Sequence, residues 1–298
     1  MGVRGLYAWL TKKKYIPKTI VVNVEDSLLI DTKLLINKIA YGLCSNDDNI
    51  CQDVVDKIDG YFKKYQEVVF VNDGSRDVSP MKSFELQKRN ENKNKNLQKA
   101  KDQEIELQCV LKKRKREDET DKMAFENDRI ETVIKMEIEK KKRQGRKITT
   151  SMSMRILLQL NERGYKTIQC EGEADAILIA MAKDFKYVVS EDGDLLVGGV
   201  NNLLRFFGTK NLLYSDVLTF LDLTTLQLKE MACLAGCDYT SGIKGIGLKN
   251  AENFIRKYGT AQNFLQSSAS QKFAKPPDFD KTIKQIVHIF TPCEPLCD

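Results

Sequence analysis

Acidic residues recur in this chain immediately after apolar, β-rich runs, and that spacing carries the chemistry. Residues 20–24 lead into Glu25-Asp26, 68–71 into Asn72-Asp73, and 187–190 into Glu191-Asp192-Gly-Asp194. Cys170 leads into Glu171-Gly-Glu173-Ala-Asp175, and Asp238 follows Gly236-Cys237. A single acid after a strand is ordinarily a turn residue or a helix N-cap. Five such places on one scaffold imply a cluster, and clustered carboxylates repel one another unless a hard cation neutralises them. Oxygen-only ligands suit Mg²⁺ or Mn²⁺. Two such ions a few ångströms apart can activate water and stabilise the leaving oxygen of a phosphodiester. Acids two apart, Glu173/Asp175 and Asp192/Asp194, allow sharing between the two.

Other chemistries are excluded by composition. The 298 residues hold one histidine, His288, so Ser–His or Cys–His nucleophilic pairs would rest on a residue ten from the end, and His-rich metal sites are impossible. Eight cysteines form no Cys-x-x-Cys pair. The two Cys-x3-Cys pairs, Cys233/Cys237 and Cys293/Cys297, have no matching cluster, which argues against zinc and for incidental thiols in a reducing compartment. The opening Met-Gly-Val-Arg-Gly-Leu-Tyr lacks a signal-peptide core, and no apolar run approaches a membrane span.

The runs that must position the acids are β-rich segments at 20–24, 68–71, 167–170, 187–190 and Leu203–Phe207, with helical patterns at 33–43, 54–65, 155–164 and 174–185 between them. Such alternation predicts an α/β fold around a mostly parallel sheet, with its active site at the carboxyl ends of the strands. Residues 81–150 read differently: half are charged, 21 basic against 14 acidic, while the rest of the chain holds 27 against 28. The whole net charge of +6 therefore sits in one segment. Helical spacing over 125–138 predicts helix there, and the polar stretch 90–96 reads as mobile. The segment is either a solvated insertion or a basic clamp for a polyanion. Lys112-Lys-Arg-Lys-Arg116 also fits a nuclear import signal.

The last third is helical, with one helix at 225–236 and another at Leu248–Tyr258. The turn Gly242-Ile-Lys-Gly-Ile-Gly-Leu-Lys249 between them can present backbone amides to a phosphate, with Gly245 and Gly247 giving close approach and Lys244 and Lys249 adding charge.

Taken in order, these motifs resemble the flap endonuclease family, which includes the group-G excision-repair nuclease and related 5′→3′ DNA exonucleases. Met1-Gly-Val-Arg-Gly-Leu6 resembles the family's N-terminus, with Gly2 close to DNA, and Val69-Phe-Val-Asn-Asp73-Gly its second acidic strand. Lys82-Ser-Phe-Glu-Leu-Gln-Lys-Arg89 resembles its gateway helix. Glu173-Ala-Asp-Ala176, Glu191-Asp-Gly-Asp194 and Gly236-Cys-Asp238-Tyr resemble its later acidic motifs, the last running into a helix–two-turn–helix.

The resemblance implies a PIN-like α/β fold with a helical cap and a C-terminal helix–two-turn–helix. It divides the chain into an N-terminal nuclease region (1–89), a charged cap (90–150), an internal nuclease region (151–224) and a DNA-binding region (225–298). Asp73, Glu173 and Asp175 would serve one Mg²⁺ and Asp192, Asp194 and Asp238 a second, with Mn²⁺ able to substitute. Lys82 and Arg89 would contact the scissile phosphate, and backbone carbonyls of the two-turn motif could bind K⁺. The implied enzyme is a monomeric, structure-specific 5′ nuclease. It would act on duplex–single-strand DNA junctions in replication, repair or recombination, in the nucleus or another site of DNA replication, with no membrane and no recognisable sliding-clamp motif.

Three departures stand out. The acid after the first strand is assigned to Glu25, with Asp26 as the alternative ligand, where the family has Asp. Asp31 falls where the family has a base-stacking aromatic, for which Tyr41 is a substitute. The cap is longer than in typical cellular flap endonucleases. Gly242 also stands where the family often has Ser. Two rival readings remain, a 5′→3′ exoribonuclease-like enzyme, suggested by the Met-Gly-Val start and Trp9-Leu10, and a non-catalytic junction-binding protein.

Overall fold

The computed structural model describes Val3 and residues 5–43, 49–74, 83–114, 121–207 and 210–291. Helix α1 (Leu6–Lys12) precedes strands β1 (Lys18–Ile20) and β2 (Leu28–Asp31), helices α2 (Thr32–Gly42) and α3 (Ile50–Phe62), and strand β3 (Val68–Asn72). Helices α4 (Ser83–Arg114), α5 (Asp121–Gly145) and α6 (Thr150–Glu162) follow, then β4 (Lys166–Gln169), α7 (Ala174–Met181), β5 (Tyr187–Val189) and α8 (Gly193–Val197). A hairpin of β6 (Leu203–Phe207) and β7 (Lys210–Tyr214) leads to α9 (Val217–Leu221), α10 (Thr225–Ala235), α11 (Leu248–Tyr258), α12 (Ala261–Gln266) and α13 (Phe279–Ile289). The described residues form two compact units, one within Met1–Leu35, Ile58–Ser83 and Leu157–Asp298, the other within Ile36–Lys57 and Phe84–Ile156.

The first unit is built on a seven-stranded sheet of order β1-β7-β6-β5-β2-β3-β4. Pairs β2–β3, β2–β5, β3–β4 and β5–β6 are parallel, and β1–β7 and β6–β7 antiparallel. The expectation of a mostly parallel α/β sheet is met. Strands covered on both faces read as continuous apolar runs, and every residue of β2 and β3 is buried. Helix α7 covers β2 and β3 on one face.

Two strands depart from the sequence reading. The run at 20–24 contributes only the end of β1, an edge strand, and Val21 is 82% exposed. The first central strand is instead β2, four residues that sequence reading passed over because the run is so short and abuts a helical pattern.

In the second unit, α4 and α5 pair antiparallel. Ala100 and Leu107 pack with Ile138 and Ile134, Lys141 Nζ donates to Gln103 Oε1 at 2.7 Å, and Lys142 pairs with Glu104. Residues 90–96, expected to be mobile, lie inside α4. A narrow apolar stripe can hold a helix that is polar elsewhere. Arg146 Nη1 donates to the carbonyls of Ala40 and Leu43, satisfying the carboxyl end of α2. Tyr41 is exposed there, its hydroxyl accepting from Gln144. Among the described residues no helix is long and apolar enough to cross a membrane.

Helices α10 and α11 pack on each other, joined by the glycine-rich turn. Ile243 and Ile246 are buried as plugs, leaving Lys244, Gly245, Gly247 and Lys249 exposed. Gly242 explains its own residue type. Its φ is +69°, and a Cβ there would lie 2.5 Å from the backbone nitrogen of Gly236 and 2.8 Å from the carbonyl carbon of Ala235. Gly242→Ser should therefore cost about 2 kcal/mol or more in denaturant unfolding, from left-handed strain and backbone collision. A loss under about 0.5 kcal/mol, the range of a neutral surface change, would contradict this packing.

Candidate metal centre

Parallel pairing sets the carboxyl ends of β3, β2 and β5 side by side. Asp31, the last residue of β2, is opposite Val71, and Ile30 is opposite Val189. Ser190 is thus level with Asp31, and Asp73 and Asp192 lie just beyond. The ends are stitched by hydrogen bonds. Ser190 Oγ donates to Asp31 Oδ2 at 2.7 Å and accepts from the Asp192 amide at 3.0 Å. Asp31 Oδ1 accepts from the Leu34 amide in the first turn of α2. Asp192 caps α8, accepting from the Asp194 amide at 2.9 Å.

The second flank is fixed by α7. Asp73 Oδ1 accepts from the Ala174 amide at 2.9 Å, and the Gly74 amide donates to the Gly172 carbonyl at 2.6 Å. A Cβ on Gly74 would collide with the Glu171 carbonyl, so glycine is required for this approach. Tyr239 Oη, from the turn after α10, donates to Glu173 Oε2 at 2.6 Å and lies 3.5 Å from Asp175 Oδ2. The tyrosine is buried, and its ring meets Phe290 edge-on at 5.3 Å.

These carboxylates feel one another. Burial raises the Asp31 carboxyl well above its usual range, against the Ser190 hydrogen bond, and Asp175, Asp73 and Asp192 push it further. Asp192 is pushed up to about 6, by burial first and then by Asp175, with the Asp194 amide opposing and Asp238 adding. Burial also lifts the Cys170 thiol to about 11, with help from Asp73 and Asp175, and the Cys237 thiol to about 12, with help from Asp194. The thiols thus stay protonated and are poor ligands.

Six acids from five segments (Asp31, Asp73, Asp175, Asp192 with Asp194, and Asp238) share one electrostatic neighbourhood, and Glu173 reaches it through Tyr239. Among the described residues no three acid, thiol or imidazole groups converge tightly enough to hold an ion as they stand. What fits a hard divalent cation is the donor chemistry: carboxylate oxygen throughout, on side chains that are buried or half-buried.

Glu25 is not brought to this set. It is exposed in the segment before β2, at the amino end of the sheet. Asp26 is committed there, with Lys186 Nζ 2.7 Å from Oδ1 and the Asn23 amide on Oδ2. Burial alone would raise its carboxyl, but the Lys186 and Asn23 hydrogen bonds win and hold it below the usual range. Asp31, and not Glu25, is thus the acid of the first two strands that the fold brings to this set. Its signal was the run Leu28-Leu29-Ile30 ending in an acid directly before a helix. Ser190 and Tyr239 were also missed.

Glu191 is turned to Arg205, whose Nη2 is 2.6 Å from Oε2 and whose guanidinium stacks 3.7 Å over the Tyr7 ring. Gly2 and Lys82 lie outside the described residues. Arg89 lies on α4, in the second unit.

Comparison with known proteins bears on the segment that carries five of these acids. Residues 164–238 match the XPG I-region. This region runs from the approach to β4 through Asp238, so Glu173, Asp175, Asp192, Asp194 and Asp238 lie within it. Exodeoxyribonuclease 1 of Schizosaccharomyces pombe (strain 972 / ATCC 24843) is 31% identical over 145 residues, covering 45% of this chain and 25% of that protein. Flap endonuclease 1 of Branchiostoma floridae is 34% identical over 131 residues, covering 41% of this chain and 34% of that protein. The matched stretch thus spans a quarter to a third of these relatives' length.

In fold, the chain is similar to flap endonuclease-1 from Methanococcus jannaschii (TM-score 0.59, 18% identity, covering 97% of this chain and 84% of the other). It is also similar to the catalytic core of Rad2 in complex with DNA substrate (TM-score 0.62, 14% identity, 97% and 85%). The sequence matches thus make the stretch around residues 164–238 similar to XPG-type nucleases, and the α/β fold is similar to that of these two solved structures.

The raised acids set a pH dependence. Below the unfolded Asp192 pKa the group is neutral in both states. As pH rises toward 6 the unfolded chain ionises first, so stability falls, and above 6 the full cost persists. Asn remains a good N-cap. Asp192→Asn should therefore stabilise metal-free protein at about pH 8 by on the order of 1–3 kcal/mol, read as a higher thermal midpoint, and change little near pH 4. A variant less stable than wild type at the higher pH would contradict the electrostatic account.

Proposed function

We propose that this chain is a divalent-metal-dependent, structure-specific 5′ nuclease that hydrolyses DNA phosphodiesters at duplex–single-strand junctions. The observation that supports this most is the set of acids gathered at the strand ends, five of them inside the segment that matches the XPG I-region. In this reading Asp31, Asp73, Glu173 and Asp175 hold one ion and Asp192, Asp194 and Asp238 the other, with Asp31 replacing Glu25. When bound, such ions activate water and stabilise the leaving oxygen.

The protein's own residues do the rest. Ser190 and the Leu34 amide orient Asp31, the Ala174 amide orients Asp73, and Tyr239 orients Glu173. Tyr239 also joins the acids to the turn after α10, so that a duplex held at Lys244, Gly245, Gly247 and Lys249 is held in register with the chemistry. Lys82 and Arg89 would supply cations for the phosphate. The paired helices α4 and α5, rich in Lys and Arg, would form the cap that engages a single strand. K⁺ at the two-turn motif, a monomeric state and a site of DNA replication belong to the same reading.

The test is cleavage of a 5′-labelled flap in Mg²⁺ beside 5′-monophosphate single-stranded RNA. Flap DNA should be cut faster, and faster RNA decay would favour the exoribonuclease reading. Junction binding without cleavage in Mg²⁺ or Mn²⁺ would favour a non-catalytic protein. Asp31→Ala should lower the single-turnover rate ~100-fold or more, as loss of a group that stabilises the transition state does. Glu25→Ala should stay within about threefold of wild type, as a surface change does. The reverse order would overturn the ligand assignment.

A further inference from the structure

One cation sits at the acid cluster without any part in the reading above. Lys33 lies in the first turn of α2, two residues past Asp31. Asp31 ends β2 opposite Val71 of β3, so the first turn of α2 begins at the same sheet edge as Asp73, whose charge acts on the Lys33 ammonium. The turn is not free to drift, since Asp31 Oδ1 accepts from the Leu34 amide and Oδ2 from Ser190. Lys33 is partly buried. Burial lowers its pKa, and the attraction of Asp73 acts the other way.

We propose that Lys33 is a phosphate-contacting residue of the nuclease core, its ammonium binding a non-bridging oxygen of the scissile phosphodiester beside Asp73. This rests on the reading of the acids as a divalent-metal centre. A phosphodiester cannot approach uncompensated carboxylates, and ions that neutralise Asp73 weaken its hold on the ammonium. The flexible four-carbon stem of lysine lets a compact charge swing from a carboxylate to a nearby phosphate. Lys33 also differs from Lys82 and Arg89 in its carrier. It is anchored to the central strand through α2, so its position follows that of Asp31 itself.

A lysine that only balances Asp73 would behave differently, and this separates the two roles. The experiment uses the full chain, a 5′-flap duplex, and the same duplex with an uncharged methylphosphonate at the scissile position. Affinity is read by fluorescence anisotropy in Ca²⁺, and single-turnover cleavage of the unmodified flap at saturating Mg²⁺. Lys33→Met should weaken Ca²⁺-supported binding of the unmodified flap ~10-fold, the scale of a lost charged hydrogen bond. That penalty should vanish on the methylphosphonate flap. The cleavage rate should fall ~100-fold, as when a transition-state cation is removed. Lys33→Arg should recover most of both.

The proposal is overturned if the binding penalty is the same on both duplexes. It is also overturned if only the Mg²⁺ half-saturation point moves while binding and the saturated rate hold, as a counter-ion to Asp73 would give. Should Lys33→Met fold poorly by circular dichroism, Lys33→Gln carries the comparison. If wild type cuts no flap, the nuclease reading fails. If wild type cuts and Lys33→Met cuts equally well, only this inference fails.

Discussion

Mutual repulsion among buried carboxylates is the constraint on which the rest of this structure depends. Asp31 and Asp192 are both buried, burial raises both carboxyls, and Asp175 raises both further, with Asp73 and Asp192 adding at Asp31 and Asp238 at Asp192. A fold that gathers such groups without a cation carries a standing cost, since burying like charges disfavours ionisation of each. The cost is tolerated because the sheet that imposes it is strongly held. The residues of β2 and β3 are buried throughout, and each large apolar side chain removed from water contributes about 1.5–3 kcal/mol.

The scaffold then restricts where the acids can go. Parallel register makes three strand ends coincide, and short polar links fix what register leaves loose. Ser190 bridges Asp31 and the Asp192 amide, and Gly74 permits an approach to Gly172 that no other residue allows. Tyr239 ties the I-region acids to the segment joining α10 and α11. Its single hydroxyl makes the geometry of Glu173 depend on the packing of the C-terminal helices, through Phe290 on its ring.

How far this was legible in the sequence differed from residue to residue. Glu173, Asp175, Asp192, Asp194 and Asp238 follow segments whose type was clear, and helix α11 was read to the residue. Asp31 was not found, because β2 is four residues long and Thr32 begins a helix at once, so no alternating pattern has room to develop. The apolar run at 20–24 drew the assignment to Glu25 instead, yet β1 is an edge strand and Glu25 lies before β2, at the other end of the sheet from Asp73 and Asp192. The polar stretch 90–96 looked mobile because few of its residues are apolar. What holds α4 is a stripe further along, at Ala100 and Leu107, which composition averages hide. Tyr239 and Ser190 carry no motif of their own, and their roles appear only when distant segments meet.

The most direct measurement of the central claim is the anomalous-difference map of crystals soaked in Mn²⁺. The account predicts density for one ion among Asp31, Asp73, Glu173 and Asp175 and for a second among Asp192, Asp194 and Asp238, at the carboxyl ends of β2, β3 and β5. Density beside Glu25 and Asp26 at the opposite end of β2, or none at the strand ends in a protein that still cleaves DNA, would contradict it.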